Sequence, residues 1–273
     1  MPDLLALATA AGEPILVAGT VTLWVVVALR LPTAVRSAPR RRLLVAVAGL
    51  AASVTVYLDP VTALLSSTAL AGSCGILMNL WGVLSAAFIL DFVLAALSRR
   101  RPLPVYGSAV AVCAGLVLLD IADGGAQAGC VSSLQVPWYS PFWWLLCVAH
   151  VAAVVPAALV TARSSRRAGS RSLQVGLALL CAAFVSSATF WGVVVIARLT
   201  TGAACIGGLF ALNIAATTWL MAAGAAVPLV VRVGRLVRSA WWLWRLRGLW
   251  QILVDAVPGV RMPEAALLGL GSV

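Results

Sequence analysis

The sequence contains no lysine, only one histidine and few acids. It has 19 arginines and eight acidic residues, and these charged residues make up 10% of the 273 positions. Hydrophobic residues reach 63%, which is more than a soluble core of this size could bury. The composition therefore excludes an aqueous fold, and the absence of lysine excludes a retinal Schiff base.

Motifs of soluble enzymes are also absent. The sequence has no phosphate-binding loop, no dinucleotide fingerprint, no paired-cysteine zinc spacing and no His-Glu-x-x-His. Ser-His-Asp catalysis would need His150, and no serine lies in a nucleophile elbow. We expect no metal and no cofactor. A membrane enzyme acting on lipid is an alternative that requires polar groups converging on His150.

The arginines are concentrated on one side of the apolar stretches. Eighteen of the 19 fall in four clusters, within residues 30–42, 99–101, 163–171 and 232–261. Cytoplasmic loops of membrane proteins retain positive charge, so the clusters mark the inside. This pattern predicts an external N-terminus and a cytoplasmic C-terminus. The expected partner of the arginines is anionic lipid at the cytoplasmic face, and no nucleic acid.

Apolar stretches set the predicted fold. A hydrocarbon core about 30 Å thick takes roughly 20 helical residues to cross. The stretches predict seven transmembrane helices, at residues 14–29, 43–58, 75–97, 104–119, 142–162, 173–196 and 208–231. We therefore predict an all-α membrane protein with a seven-helix bundle in residues 1–236. An amphipathic cytoplasmic helix and tail follow in residues 237–273. The pair Asp59-Pro60 is expected to stop the second span.

Aromatic residues mark the predicted membrane surfaces. An outer belt is expected at the start of the fifth span, from Trp138, Tyr139, Trp143 and Trp144. On the inner side Trp242, Leu246 and Trp250 recur at helical spacing beside Arg245, which favours a helix lying on the cytoplasmic membrane surface. The alternative is that this helix begins a cytoplasmic domain and packs on protein.

Two ionisable residues lie within predicted spans, where charge is costly. Asp91 lies near the cytoplasmic end of the third span, so it could relay protons or bind a cation. Pairing with Arg99, Arg100 or Arg101 is the simpler alternative. His150 lies near the middle of the fifth span, and an imidazole can change charge near neutral pH. It is a candidate ligand or proton site, although a single interhelical hydrogen bond would also account for it.

Two amides lie at similar predicted depth, Asn79 in the third span and Asn213 in the seventh. Hydroxyl groups at matching depth could help them to line a cavity, namely those of Ser186, Ser187, Thr217 and Thr218. The alternative is that these side chains join helices by hydrogen bonds, each worth about 0.6 kcal/mol. Their depth alone does not distinguish a ligand site from helix packing.

Three of the six cysteines fall at or in the external connections, where disulfides persist. We prefer a bridge between Cys130 and Cys205, because both lie in loops, and Cys74 with Cys130 is the close alternative. Cys113, Cys147 and Cys181 lie within spans and are expected to act as small apolar residues.

Three segments resemble a known family. They are Arg41-Arg-Leu-Leu, the third-span stretch Leu80-Trp-Gly-Val-Leu-Ser-Ala-Ala-Phe-Ile-Leu, and Arg247-Gly-Leu-Trp-Gln-Ile-Leu-Val-Asp-Ala-Val-Pro. The layout is similar to a family from high-GC bacteria, labelled as transporters, with seven membrane helices before a cytoplasmic domain of unknown function. The resemblance implies the bacterial cytoplasmic membrane. The family's domain is longer than the residues after Val254, so we expect it to be truncated or short here.

Two classes of function fit the sequence. In the preferred one, a membrane sensor or anchor couples the bilayer or an outer pocket to a cytoplasmic protein partner. The alternative is a small-molecule transporter with a site between the helix halves, as a weak similarity between spans one to three and five to seven would allow. Small-residue pairs such as Gly207 and Ala211 would also permit a homo-oligomer.

Overall fold

The computed structural model describes residues 2–34, 37–69, 71–96, 102–125, 139–201 and 207–256. These ranges contain no β-strand, and a 3₁₀ turn at Ala71–Ser73 is the one helical element that is not α. The α-helices of these ranges are α1 (Pro2–Ala34), α2 (Ala38–Thr55), α3 (Asp59–Ser66), α4 (Cys74–Ala96), α5 (Pro102–Ala122), α6 (Pro141–Arg166), α7 (Arg171–Thr201) and α8 (Gly207–Ala256).

The helices that are able to span a membrane occur in the predicted order along the chain. Within the described part of the chain, six stretches are long and apolar enough to cross a membrane: Gly12–Ala34, Ala71–Ala96, Pro102–Ala122, Pro141–Arg166, Arg171–Ala197 and Leu212–Leu253. The pair α2 and α3 makes a seventh when it is counted as one span bent by 70°. The prediction of an all-α, multi-pass membrane bundle is confirmed.

The bend between α2 and α3 was not predicted. The helix α2 ends at Thr55, and Leu58 takes an extended conformation before α3 begins at Asp59. Pro60 lies in the first turn of α3, where its missing N–H would have no helical partner in any case. Asp59-Pro60 therefore follows the end of one helix, as expected, and also starts a second short one.

The helix α4 is the centre of the bundle. It packs against α2, α5 and α6, and 56% of its most apolar window is buried, compared with 17% for α5. Three indole N–H groups join helices around it. Trp81 donates to the Gly49 carbonyl at 3.2 Å, Trp24 to the Thr55 hydroxyl at 3.0 Å, and Trp219 to the Ile15 carbonyl at 3.1 Å.

The predicted outer aromatic belt is present only in part. Tyr139 is exposed, as a residue at the membrane surface should be. Trp143 is instead completely buried beside Phe142 and Leu146, with Trp144 packed edge-on at 4.9 Å between ring centroids. Trp138 lies outside the described residues. Trp143 is thus a core residue, because the helix α6 turns it towards the bundle.

The chain divides into two compact units, Met1–Pro228 and Leu229–Val273. The sequence placed this boundary later, after residue 236. The predicted surface helix is helical, but it belongs to α8, which runs from Gly207 to Ala256 with Pro228 inside it. Residues 257–273, the predicted tail, lie outside the described residues.

The helices α7 and α8 approach each other through two glycines. A methyl group added to Gly224 would lie 2.9 Å from the carbonyl oxygen of Gly176 and 2.9 Å from Cγ of Leu180. Pro228 has no N–H to donate to the Gly224 carbonyl, and that oxygen would lie 3.1 Å from a methyl group added to Gly176. Only glycine fits at these two positions without moving a backbone.

We expect Gly224→Ala to lower the free energy of unfolding by about 1–3 kcal/mol, because its methyl group overpacks a backbone contact. Gly192→Ala is the matched control, since a methyl group there meets nothing within 4 Å. The control should be neutral or slightly stabilising, because alanine has the higher helix propensity. Thermal denaturation of both variants in the same detergent measures the difference. Equal stabilities would show that the helices do not pack this closely.

Candidate functional site

A cavity of about 140 Å³ lies inside the unit Met1–Pro228. Its polar lining comes from five helices, α2, α4, α6, α7 and α8, and from the break after α2. These side chains are Ser53, Asn79, Ser85, His150, Ser187, Asn213, Thr217 and Thr218, with Tyr57 from the break after α2. Three of the four predicted site residues, Asn79, His150 and Asn213, therefore lie in one cavity.

The imidazole of His150 has one bonded and one open nitrogen. Its Nδ1 lies 2.9 Å from the Leu146 carbonyl oxygen, which can only accept, so Nδ1 carries the proton. Nε2 makes no hydrogen bond within the described residues and is left as an acceptor. A methyl group added to Gly82 would lie 3.3 Å from this Nε2. The ring stacks on Trp191 with centroids 5.0 Å apart, which fixes its orientation.

Thr217 has an unsatisfied hydroxyl. Its Oγ1 is buried and has no hydrogen-bond partner among the described residues. Its neighbour Thr218 donates to the carbonyl four residues earlier, at 2.7 Å, as do Thr20, Thr55 and Thr161. An unsatisfied hydroxyl of this kind costs about 1–3 kcal/mol. Thr217 is therefore unusual among the helical threonines, and it lines the cavity.

The two amides differ in what they offer. Asn213 accepts a hydrogen bond from Ser186 at 3.1 Å through its side-chain oxygen, so its NH₂ group is the part left to donate. Asn79 is buried and donates to the Gly75 carbonyl of its own helix at 2.9 Å. Ser186 thus joins α7 to α8, and Asn213 combines helix packing with a position on the cavity wall.

Among the residues that the structure describes, no aspartate, glutamate or arginine lines this cavity. The remaining wall is apolar and aromatic, and includes Phe184, Phe190 and Trp191. An apolar cavity of about 150 Å³ holds one benzene molecule, so this one has room for roughly six to ten non-hydrogen atoms. The site fits a small uncharged molecule that both donates and accepts hydrogen bonds.

The surroundings of His150 also bear on the enzyme alternative. Among the described residues, no hydroxyl is hydrogen-bonded to Nε2 of His150, so a nucleophile paired with a base is not formed. The described residues also contain no group of three or more His, Cys, Asp or Glu side chains that could hold a metal ion. Polar groups do share a cavity with His150, which the lipid-enzyme alternative required.

Asp91 lies apart from the cavity. Its carboxylate is buried and accepts a hydrogen bond from the Tyr106 hydroxyl at 3.2 Å, in a separate cleft with Arg41, Arg42 and Phe88. Arg99, Arg100 and Arg101, its predicted partners, lie outside the described residues. The structure therefore does not bring Asp91 together with His150, Asn79 and Asn213.

The cysteines correct one expectation. Cys74 is disulfide-bonded, whereas Cys113, Cys147 and Cys181 are free thiols. The chain has six cysteines, so the partner of Cys74 is either Cys130 or Cys205, and both lie outside the described residues. A bonded Cys74 excludes the preferred Cys130–Cys205 bridge and leaves the alternative in which Cys74 takes part.

The predicted surface residues of α8 belong to the second unit. The side chains of Trp242, Leu246 and Trp250 are about half exposed, at 47%, 48% and 47% respectively. The guanidinium of Arg245 lies 5.2 Å from the ring of Trp241 and 5.9 Å from that of Trp242. Within this unit the side chains are available for contact, and their role stays a prediction.

Several cavity residues were not predicted. Gly82 and Trp191 flank the two sides of the imidazole, and Ser53 and Tyr57 come from the bent span. Matching depths along antiparallel spans could have selected Trp191, since it lies in the outer half of its span as His150 does. No sequence signal marks Gly82 among the glycines of the chain.

No protein-family model, curated protein or solved structure matches this chain.

The cavity is partly open. Diethyl pyrocarbonate, an uncharged reagent that acylates unprotonated imidazole, should therefore modify His150 by bringing one carbonyl carbon to Nε2 while the rest of the molecule stays at the mouth of the cavity. The chain has a single histidine, so the adduct is unambiguous. Gly82→Ala should slow the modification by about tenfold, equivalent to about 1.4 kcal/mol in the barrier, because its methyl group covers Nε2. Gly107→Ala, whose added methyl meets nothing within 4 Å, should react like the parent protein. Equal rates in both variants would place Nε2 elsewhere.

Thr217→Val should raise the free energy of unfolding by about 1 kcal/mol, because it removes an unsatisfied hydroxyl and keeps the side-chain shape. Thr161→Val is the control, since its buried hydroxyl donates to the Ala157 and Ala158 carbonyls. The control should lower stability by about 0.5–1.5 kcal/mol. Thermal denaturation of the empty protein in detergent compares them. A destabilised Thr217→Val would mean that its hydroxyl has a partner.

Proposed function

We propose that this protein is a membrane sensor whose bundle binds a small uncharged polar molecule and whose helix α8 carries the response. The observation that carries the proposal is the 140 Å³ cavity with the unpartnered Nε2 of His150 and the buried, unsatisfied hydroxyl of Thr217. Natural cores rarely retain such groups without a reason. A ligand that bonds to both would supply one.

The lining favours a particular class of ligand. Neutral His150 offers an acceptor at Nε2, so the ligand needs an O–H or N–H group. Asn213 offers amide hydrogens, and Thr217 a hydroxyl, so the ligand also needs an acceptor oxygen. A charged solute would have no opposite charge in the wall and would lose its hydration. Small alcohols, polyols, amides and ureas meet these conditions.

Sensing is favoured over a passive pocket because of α8. A helix needs about 20 residues to cross a bilayer, whereas α8 has 50. Its Asn213, Thr217 and Thr218 line the cavity, and the same helix continues into the arginine- and tryptophan-rich segment. A ligand can shift an equilibrium only through contacts that differ between two states. Its bonds to α8 are the contacts through which it would act.

The arginine distribution supports an orientation for this sensor. With the arginine clusters in the cytoplasm, the cavity lies in the outer half of the membrane. The family resemblance of three segments adds a bacterial cytoplasmic membrane as the location. A cytoplasmic protein that responds to α8 would complete the pathway.

Transport of the same solute is the second candidate, and the bent span favours it. Transporters bind substrates near discontinuous helices, whose ends expose backbone groups. Here α2 ends beside the cavity, with Ser53 and Tyr57 in its wall, and α3 leaves at 70°. A movement of this bent pair would change access to the site without unfolding the bundle.

Protection of His150 tests the ligand class. We expect glycerol, urea or acetamide to slow diethyl pyrocarbonate modification in nanodiscs, while acetate at the same concentration does not, because the wall lacks opposite charge. If no neutral solute protects, or acetate protects equally, the proposed ligand class is wrong. Asp91→Asn is the matched control variant and should show the same protection, since Asp91 does not line the cavity.

Two measurements with the protecting solute separate sensing from transport. A sensor should change amide hydrogen exchange in residues 230–253 on binding, without moving solute across proteoliposomes in stopped-flow light scattering. A transporter should give flux without that exchange response. Replacing Trp242, Leu246 and Trp250 by serine should abolish the response of the sensor but leave His150 protection unchanged. Protection with neither response nor flux would reject both functions.

A further inference from the structure

The exposed part of α8 has an unusual composition. Between Leu229 and Val254 it carries five arginines, Arg232, Arg235, Arg238, Arg245 and Arg247, and no acidic residue. Four tryptophans, Trp241, Trp242, Trp244 and Trp250, accompany them. Every described side chain from Val230 to Leu253 is exposed within this unit. The segment therefore presents positive charge and large indole surfaces together.

Apolar side chains surround this segment on all sides. Leu243, Trp244, Leu249 and Ile252 are exposed by 73%, 74%, 67% and 69%. At 100° per residue, Leu243 and Ile252 point in opposite directions. A partner protein with a groove covers only one stripe of a helix. An apolar surface all round therefore fits the boundary between headgroups and acyl chains, which can contact more than one face of the helix, better than a groove.

Two of the arginines and two of the tryptophans form one cluster. Trp241 and Trp242 pack edge-on with centroids 4.9 Å apart, and the Arg245 guanidinium lies over both rings. Arg238 lines a shallow cleft with the same two tryptophans. Indoles prefer the headgroup level of a membrane, and guanidinium groups bind phosphate through several N–H groups. Such a cluster matches a phospholipid headgroup.

We infer that residues 230–253 form a docking surface for anionic phospholipid headgroups, with Arg238, Arg245, Trp241 and Trp242 as its centre. Charge complementarity selects the occupant, because five cations without an acid attract a negative surface. The tryptophans and leucines enter the boundary between headgroups and acyl chains. This surface is separate from the cavity, so it can exist whether or not the cavity binds a solute.

Hydrogen exchange of the whole protein in nanodiscs tests the inference. A helix whose side chains are exposed lacks the packing that gives most helices their stability, so contact with lipid should slow its amide exchange. In discs of phosphatidylcholine with phosphatidylglycerol, residues 230–253 should exchange about tenfold more slowly than in phosphatidylcholine alone. At 1 M salt, where the screening length is about 3 Å, most of this difference should be lost.

The variant Arg238→Gln/Arg245→Gln/Arg247→Gln should abolish the effect of phosphatidylglycerol, because it removes charge and keeps helix propensity. Its matched control is Arg163→Gln/Arg166→Gln/Arg167→Gln, which removes the same charge from exposed arginines at the end of α6. The control should keep the effect. Equal losses in both variants would show a response to net charge alone and overturn the docking surface.

Other occupants would give different results. Equal protection in both lipid compositions would overturn an anionic occupant, since zwitterionic lipid would then suffice. Protection that appears only after addition of polyglutamate or duplex DNA would assign the surface to an acidic macromolecule. Rapid exchange of residues 230–253 under every condition would show that they dock on none of these.

Discussion

A hydrocarbon core offers no hydrogen-bond partner, so every polar group inside it must be satisfied by the protein itself. Helices satisfy the backbone, and the side chains that remain must find partners on neighbouring helices. In this chain indoles do much of this, donating from Trp24, Trp81 and Trp219 across helix interfaces. Their reach requires close helices, and glycines such as Gly19, Gly49 and Gly224 allow that approach.

The same constraint makes the cavity informative. The helix α4 lies at the centre of the bundle, yet a space remains between it and α2, α6, α7 and α8. Leucine or valine side chains could have filled this space without burying any polar group. Instead His150, Asn213 and Thr217 line one cavity. Their presence together is better explained by a molecule that occupies the space than by packing.

The sequence was sufficient for the fold because its two strongest signals are long-range averages. The lengths of the apolar stretches predicted the spans, and the positions of the arginines predicted the orientation of the spans in the membrane. Depth along the spans also grouped Asn79 with Asn213, and both line the cavity with His150. What depth cannot provide is rotation, which decides whether a side chain faces lipid or protein. Trp143, predicted in the outer belt, is therefore a core residue, and Asp91 lies in a separate cleft with Tyr106. The bent span was missed because Asp59-Pro60 serves both as an end and as a beginning.

Magnitudes help to separate helix packing from ligand binding at the cavity. An interhelical hydrogen bond in a membrane contributes about 0.6 kcal/mol, and Ser186 to Asn213 is a bond of this kind. The buried hydroxyl of Thr217 costs about 1–3 kcal/mol while it has no partner. A helix-packing role would leave that residue with a net loss, whereas the neighbouring Thr218 donates to its own helix carbonyl. The unsatisfied group therefore argues for a partner that enters the site and bonds to α8 only when bound.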